Sequence, residues 1–402
     1  MSKLDKLIKG YEKAWDAPNL MDLAKAPRGA KIPFSAPLMN WTTYGGIPRN
    51  KITEFHGPEG GGKSTSAVDI CKNAYKIFQK EYEAQVADLR EKVAKDKKTY
   101  EGLLDDLLER GPQQILYIDL EHSFDDEWSK TLGINDDEIK IMTPPDINAE
   151  TILNSILDMI ATGEIGLMVL DSIPSLVPQA QLEKNIGERT VASLAGLLDT
   201  FMKKLVPSLT RYGCTFLMIN QIRDNLLNPY VVNTPGGHAL KFYASLRIYF
   251  QIGSPIDYLG NELPQKTENP AGYKINAKII KQKSAPFNRK LGSYYLMSDT
   301  GIRDDLDFIQ LAVNKYDIIK KSGGWFSYVD PYTGEILETP EGKTLKTNGL
   351  ANVIDYVKSN VEYFDKIRKY ILTDINGNGI DVESNKELDA IEEDHSEVFG
   401  DA

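Results

Sequence analysis

The clearest chemistry in this chain sits in eight consecutive residues. Gly57-Pro58-Glu59-Gly60-Gly61-Gly62-Lys63-Ser64, with Thr65 behind them, fit the spacing GxxxxGK[ST]. Glycines let a backbone turn its N–H groups inward around phosphate oxygens, and a following helix N-terminus adds a favourable dipole. In that arrangement Lys63 reaches the β- and γ-phosphates of a nucleotide and Ser64 ligates Mg2+. The flanks agree: a β-rich run, Ile52–His56, comes before and a helical run through Ala67, Ile70, Cys71 and Ala74 comes after. A chance glycine-rich turn would lack both. Such a site needs a second metal-side carboxylate, and the apolar run from Gly166 to Leu170 ends in Asp171, placed to hold Mg2+ through water. Its competing role is a helix cap, since Ser172 follows. Hydrolysis also needs a group that orients or deprotonates the attacking water. Asp119 ends the run Ile115–Asp119 and Glu121 lies just beyond it; spacing alone does not choose between them. Gln221 closes a further run. An amide there can bond the γ-phosphate and pass its loss to the following loop.

Five β-rich runs must position these groups: Ile52–His56, Ile115–Asp119, Leu167–Asp171, Thr215–Asn220 and Leu246–Gln251. Several are nearly unbroken apolar stretches ending in a polar residue. Strands covered by helices on both faces of a parallel sheet read this way, and such sheets collect chemistry at their carboxyl ends. The expected fold is therefore α/β, with a mainly parallel central sheet flanked by helices.

Around this core the texture changes. Leu4, Leu7, Ile8, Tyr11 and Trp15 draw one apolar stripe on a short N-terminal helix, and the Pro/Gly-rich stretch from Pro18 to Gly46 reads as an extended arm. Residues 79–112 are densely charged. Val86, Val93, Tyr100 and Leu107 recur every seven, with Asp96 as a break and Gly102 as an interruption. One protruding helix or a helical hairpin is expected, more simply a solvated helix than a partner-binding arm. Residues 302–373 read as a small α+β domain with an amphipathic helix around Val353–Ile371. The domain plan is thus 1–35 helix and arm, 36–301 core with the 79–112 insertion, 302–373 small domain and 374–402 acidic tail. Asp374-Ile-Asn376-Gly-Asn378-Gly379 imitates a calcium loop, but Asn385 stands where the bidentate Glu belongs, so a turn into the tail is the better reading.

The chain has 402 residues, 41% hydrophobic and 26% charged, which excludes collagen-like, wholly disordered and disulfide-scaffold classes. Two cysteines cannot build a framework and no CxxC offers a zinc site; a reduced compartment, the cytoplasm of a bacterial or host cell, is expected. No apolar run approaches the roughly 18 residues of a membrane span, and Met1-Ser2-Lys3-Leu4-Asp5 is not the start of a signal peptide. With a net charge of −11, any nucleic-acid site must be a local basic surface.

Six ordered motifs resemble those of RecA-type DNA recombinases: Gly57–Thr65; Ile118-Asp119-Leu120-Glu121-His122-Ser-Phe-Asp125; Leu170-Asp171-Ser172-Ile-Pro-Ser-Leu-Val-Pro178; Ile219-Asn220-Gln221-Ile222-Arg223; Gly236-Gly237-His238-Ala239-Leu240-Lys241-Phe242-Tyr243-Ala244-Ser245; and Lys281-Gln282-Lys283-Ser-Ala285-Pro286-Phe287. Gly324-Trp325-Phe-Ser-Tyr328 resembles the small C-terminal domain of the same family, and the likeness spans roughly residues 35–370. Lys31-Ile-Pro33 is similar to the bacteriophage-encoded, UvsX-like branch. The resemblance implies a P-loop ATPase core and a recombinase that polymerises on single-stranded DNA, searches duplex DNA for homology and exchanges strands. It implies that Lys63, Ser64 and the Gly57–Gly62 backbone bind ATP and Mg2+, that Asp171 is the second Mg2+ carboxylate, and that Glu121 is the catalytic base. Asp125 and Trp128 fall where the family holds adenine, Gln221 is its switch amide, and Lys281 and Lys283 match lysines that reach ATP across a subunit interface. For these two lysines a merely basic strand edge is the plainer alternative.

Two loops then line the DNA channel: one near Gln181–Val191, with Lys184 and Arg189, and one over Ile222–Gly237, with Arg223, Gly236 and Gly237. Phosphate contacts of this kind bind without reading bases, as a recombinase requires. The segment Asp224-Asn225-Leu226-Leu227-Asn228-Pro229 is less basic than the cellular family's loop. The resemblance further implies head-to-tail self-association into a helical filament through the N-terminal helix, and a single-stranded-DNA-binding protein or loading mediator as partner; no membrane is expected. Two other classes compete. A ring-forming helicase usually carries a larger N-terminal domain and lacks the Gly237–Ser245 run. A non-catalytic mediator would be expected to lose Lys63, Glu121 or Asp171.

Overall fold

A computed structural model describes residue 9 and residues 30–135, 137–145, 147–183, 193–222 and 235–375. The N-terminal stripe and the acidic tail beyond Ile375 lie outside these residues; Asp374 and Ile375, assigned to the tail from sequence, end the last helix. In chain order the elements are β1 (Lys31–Ile32), α1 (Pro37–Thr43), β2 (Ile47–Pro48), β3 (Ile52–Gly57), α2 (Lys63–Lys95), α3 (Lys97–Arg110), β4 (Gln114–Asp119), α4 (Asp126–Thr131), β5 (Lys140–Met142), α5 (Ala149–Ala161), β6 (Ile165–Asp171), α6 (Gln179–Leu182), α7 (Ser193–Tyr212), β7 (Thr215–Gln221), α8 (Gly237–Tyr243), β8 (Leu246–Ile256), β9 (Gly272–Gln282), β10 (Leu291–Met297), β11 (Gly301–Ile302), α9 (Asp304–Asn314), β12 (Ile319–Ser322), β13 (Trp325–Tyr328), β14 (Lys346–Asn348), α10 (Leu350–Ser359) and α11 (Val361–Ile375).

Nine strands form the central sheet in the order β11-β10-β9-β8-β3-β7-β6-β4-β5. The six from β8 to β5 are parallel, and β9, β10 and β11 extend the sheet antiparallel. Side chains alternate across it. Phe55, Val169, Leu217 and Ile219 pack with Ala67, Ile70, Cys71, Ala74 and Phe78 of α2. Met168, Leu170, Phe216 and Met218 pack with Ile152 and Ile156 of α5 and Phe201 and Leu205 of α7. Both faces are buried, so the strands read as unbroken apolar runs. Residues 304–375 gather round a third cluster that includes Phe308, Tyr328, Val357 and Ile371, with Trp41 of α1 inserted among them.

The structure departs from the sequence reading in three further places, and in a fourth it takes one of two expected forms. The expected extended arm contains helix α1: Pro37 sits at its first turn, Asn40 ties back to the N–H and carbonyl of Phe34 at 2.8 and 2.7 Å, and Met39, Asn40 and Trp41 are buried. The 79–112 segment takes the hairpin form. Helix α2 runs 33 residues from the phosphate loop, about 50 Å, and Asp96 ends it while capping α3 through the N–H of Thr99. Gly102 lies inside α3 rather than interrupting it. Val86 and Leu107 are buried and Val93 and Tyr100 half-buried along the seam. Finally, the amphipathic helix around Val353–Ile371 is two helices, because Asn360 closes α10 and its side chain accepts the N–H of Tyr363 at the start of α11.

Candidate nucleotide-binding site

The loop after β3 is built where strand order turns outward from the middle of the sheet, at the strands' carboxyl ends. Gly57 leaves the sheet with φ +152°, and a β-carbon there would meet the Phe250 carbonyl oxygen at 2.0 Å; only glycine fits. Gly62 caps α2 at φ +86°, and its carbonyl accepts the Tyr294 hydroxyl at 3.2 Å. The same hydroxyl meets Ser66 Oγ at 2.9 Å, so β10 braces the loop from behind. Lys63 is buried, and its Nζ donates to the Pro58 carbonyl at 2.5 Å. Burial lowers its pKa, against the pull of Asp171, Glu121 and Glu59.

Ser64 Oγ donates to Asp171 Oδ2 at 2.8 Å, and the Tyr117 hydroxyl reaches the same oxygen at 2.6 Å. Burial raises the Asp171 pKa, and the Glu121 and Asp119 charges push the same way, against those two hydrogen bonds. An arriving cation would relieve that repulsion. Among the described residues no cluster of three or more His, Cys, Asp or Glu side chains could hold a metal alone. One hydroxyl beside one carboxylate suits Mg2+, which keeps its waters and shares substrate phosphates. The residues therefore fit a phosphate-bound Mg2+.

Geometry separates the two acidic candidates. Asp119 is buried, and its oxygens accept the N–H groups of Glu121 at 3.1 Å and Phe124 at 2.9 Å. It shapes the loop. Glu121 is exposed, and its Oε1 accepts Gln221 Nε2 at 2.9 Å and the Ser172 hydroxyl. This carboxylate thus joins the carboxyl ends of β4, β6 and β7. Asp125 caps α4 through the N–H of Trp128, and the indole Nε1 of Trp128 lies 3.4 Å from Thr65 Oγ1, placing the ring at the start of the phosphate helix.

Other expected residues lie elsewhere. Lys281 pairs in register with Arg247 near the start of β8, and the N–H of Lys283 bonds Ser245 O. Both are at the opposite end of the strands from Gly57. Their ammonium groups cap α8, Lys281 on the carbonyls of Lys241 and Phe242 at 2.6 and 2.8 Å and Lys283 on Phe242 at 3.0 Å. The structure does not bring them to this protomer's own phosphate loop. Gly236 and Gly237 open α8 with positive φ and lie against Leu198 and Ala195 of α7. Lys184, Arg189 and Arg223 fall outside the described residues. Sequence reasoning missed Tyr117, Ser172 and Tyr294. A tyrosine two residues before Asp119 in a buried strand was the available signal for Tyr117; Tyr294 comes from a strand that was not foreseen.

The family model described as the RecA N-terminal domain matches residues 107–303. Curated relatives named Protein RecA are similar over most of the chain. The protein from Rickettsia bellii (strain RML369-C) is 32% identical over 331 residues, 81% of this chain and 79% of the relative. That of Rickettsia massiliae (strain Mtu5) is also 32% identical over 331 residues, with the same coverage. That of Porphyromonas gingivalis is 31% identical over 293 residues, 72% of this chain and 73% of the relative.

Proposed function

The chain belongs to the RecA family, and from that premise we propose an ATP-dependent DNA recombinase of recombination and repair, which polymerises head to tail on single-stranded DNA and exchanges strands with duplex. The observation that carries this reading is the contact between Glu121 and Gln221 at the carboxyl ends of β4 and β7. It links a hydrolytic carboxylate to the strand from which the second DNA loop departs.

The Gly57–Gly62 backbone and Lys63 hold the phosphates, and Ser64 and Asp171 are the residues that would hold Mg2+, which supplies charge neutralisation at the transferring phosphoryl group. Glu121 receives the proton of the attacking water. Gln221 bonds Glu121 before nucleotide arrives; drawn to the γ-phosphate, it frees the carboxylate for water and tugs the segment after β7. Trp128 offers its face to adenine, with Asp125 fixing its helix. Lys281 and Lys283, remote from their own site, serve a neighbour's ATP. Lys184, Arg189, Arg223 and the Gly236-Gly237 turn belong to the DNA surface. The finer placement, a bacteriophage-encoded UvsX-like member, rests on Lys31-Ile32-Pro33. Among the described residues no helix is long and apolar enough to cross a membrane.

Lys63→Ala tests the reading, with DNA-stimulated ATP hydrolysis and joint-molecule formation both measured. Both activities are lost in a protein that still folds. Full strand exchange by the variant would make ATP binding incidental and overturn the proposal. Electron microscopy with an ATP analogue and single-stranded DNA separates filaments from helicase-like rings.

A further inference from the structure

A second polar cluster lies on the face of the sheet beneath α8. Glu54, in the middle of β3, is wholly buried, yet it pairs with Arg247 Nε on β8, itself only 8% exposed. The other Glu54 oxygen accepts Asn220 Nδ2 from β7 at 3.0 Å. The same amide nitrogen donates to the Pro235 carbonyl at 3.1 Å. Burial pushes the Glu54 carboxyl up, but the charges of His56 and Arg247 and the bonds from Arg247 and Asn220 outweigh it and hold the group below the usual carboxylate range. It is an ionised carboxylate inside the protein.

A buried ion pair is a poor way to gain stability, because desolvation consumes much of the attraction and apolar replacements often do as well. What this pair does is fix Asn220. Pro235 is the first described residue after the segment 223–234, and Ile222 is the last before it. The Ile222 N–H bonds the Gly57 carbonyl at 3.3 Å. Both ends of that segment are therefore tied to β3: the departing end at the root of the phosphate loop, the returning end through Asn220 and Glu54. Register agrees, since Gly57 lies beside Gln221, His56 beside Asn220, and Glu54 beside Arg247. Two buried atoms on this face, His56 Nδ1 and Asn220 Oδ1, have no partner. The cluster is therefore not saturated in this conformation.

We propose that Asn220, seated by the Glu54–Arg247 pair, is a positioning residue that clasps the returning end of the DNA-contacting loop to the phosphate-loop strand. This rests on the reading that residues 223–234 contact DNA. The clasp holds Pro235 in fixed register with Gly57 and Ile222; without it that register is lost.

Three variants of the full chain test this by single-stranded-DNA affinity, nucleotide affinity and DNA-stimulated hydrolysis. Asn220→Ala removes both bonds and weakens DNA binding about tenfold, the scale of a lost bond to a charged group, with nucleotide affinity unchanged. The double variant Glu54→Gln/Arg247→Met removes the charges but keeps an acceptor for Asn220, and it retains DNA binding. Glu54→Leu/Arg247→Met removes the acceptor and behaves like Asn220→Ala. Parental DNA affinity in Asn220→Ala overturns the clasp, as does equal behaviour of the two double variants, which stay informative if Asn220→Ala misfolds. Replacing residues 224–233 with glycine and serine separates the premise. DNA affinity lost there but kept in Asn220→Ala condemns the clasp alone; affinity kept in both condemns the loop reading itself.

Discussion

Helix α2 spans two environments. Its first half, to Phe78, lies between the phosphate loop and the sheet, with Ala67, Ile70, Cys71 and Ala74 wholly buried. Its second half leaves the core and runs alongside α3, and along that hairpin, among the described residues, just Val86 and Leu107 are buried. Arg49 marks the border, bonding Glu81 at 2.5 Å with its guanidinium 5.2 Å from the Phe78 ring centroid. One continuous helix thus joins a region where backbone meets backbone to one where side chains meet water. The family-model match begins at residue 107, at the last turns of the hairpin, so the insertion separates the phosphate loop from the rest of the recognisable pattern. The same substitution should therefore have opposite consequences on the two sides of that border.

The largest contrast is expected at glycine. Gly57→Ala brings a β-carbon to 2.0 Å from the Phe250 carbonyl, backbone against backbone, at φ +152°. Neither strand can yield without breaking the parallel pairing of β3 and β8. A loss above about 4 kcal/mol, or no soluble folded protein, is expected. Thermal unfolding and nucleotide binding measure it. A variant with parental stability would mean that the two strands are not packed at this distance.

Much of this division was legible in the residues. Five of the six parallel strands announce themselves because both their faces are covered, while exposed β5 does not; the phosphate loop does so because its glycines have no freer alternative. Antiparallel β9 and β10 were passed over, although β9 carries a strand's alternation: Ile275, Ala277 and Ile279, all buried, sit between Lys274, Asn276 and Lys278. Helix α1 hid among prolines and glycines, although Pro37 starts it. Spacing could not tell Glu121 from Asp119; the resemblance pointed to Glu121, and the structure adds that the Asp119 oxygens are taken up by two backbone N–H groups. The Glu54–Asn220 contact spans 166 positions, and no local spacing encodes it.

A smaller effect separates the regions by pH. His56, beside the phosphate loop, is pushed down from 6.5 to about 4 by burial, against the attraction of Glu54. The unfolded chain takes up a proton at this residue below pH 6.5 while the folded one does not until about 4. Stability therefore falls as pH drops through that window, by at most about 1.4 kcal/mol per pH unit from this group. Glu54, with its folded value depressed, adds a loss in the same direction as pH falls through its own lower range. Urea midpoints across pH 4–7 should slope downward toward acid in the parent and flatten in His56→Asn. An unchanged slope in the variant would assign the acid sensitivity elsewhere.

The smallest effect has the opposite sign. Gly102 lies inside α3, and a β-carbon there would meet nothing within 4 Å. Alanine lowers the backbone entropy of the unfolded chain and is the best helix former, so Gly102→Ala should stabilise α3 by about 0.5–1 kcal/mol. Where that gain appears tells how far the border at Phe78 divides the molecule. If the hairpin unfolds with the core, the urea midpoint of the whole protein rises. If it opens separately, the midpoint stays fixed and only amide exchange over residues 97–110 slows. The continuous helix favours the first outcome, because the seam then shares its backbone hydrogen bonds with the phosphate helix. The thin burial of Val86 and Leu107 favours the second, since two buried side chains are little to hold 14 residues of α3 in place. Destabilisation by this alanine would break the comparison outright, for it would mean that something occupies the open face of the hairpin.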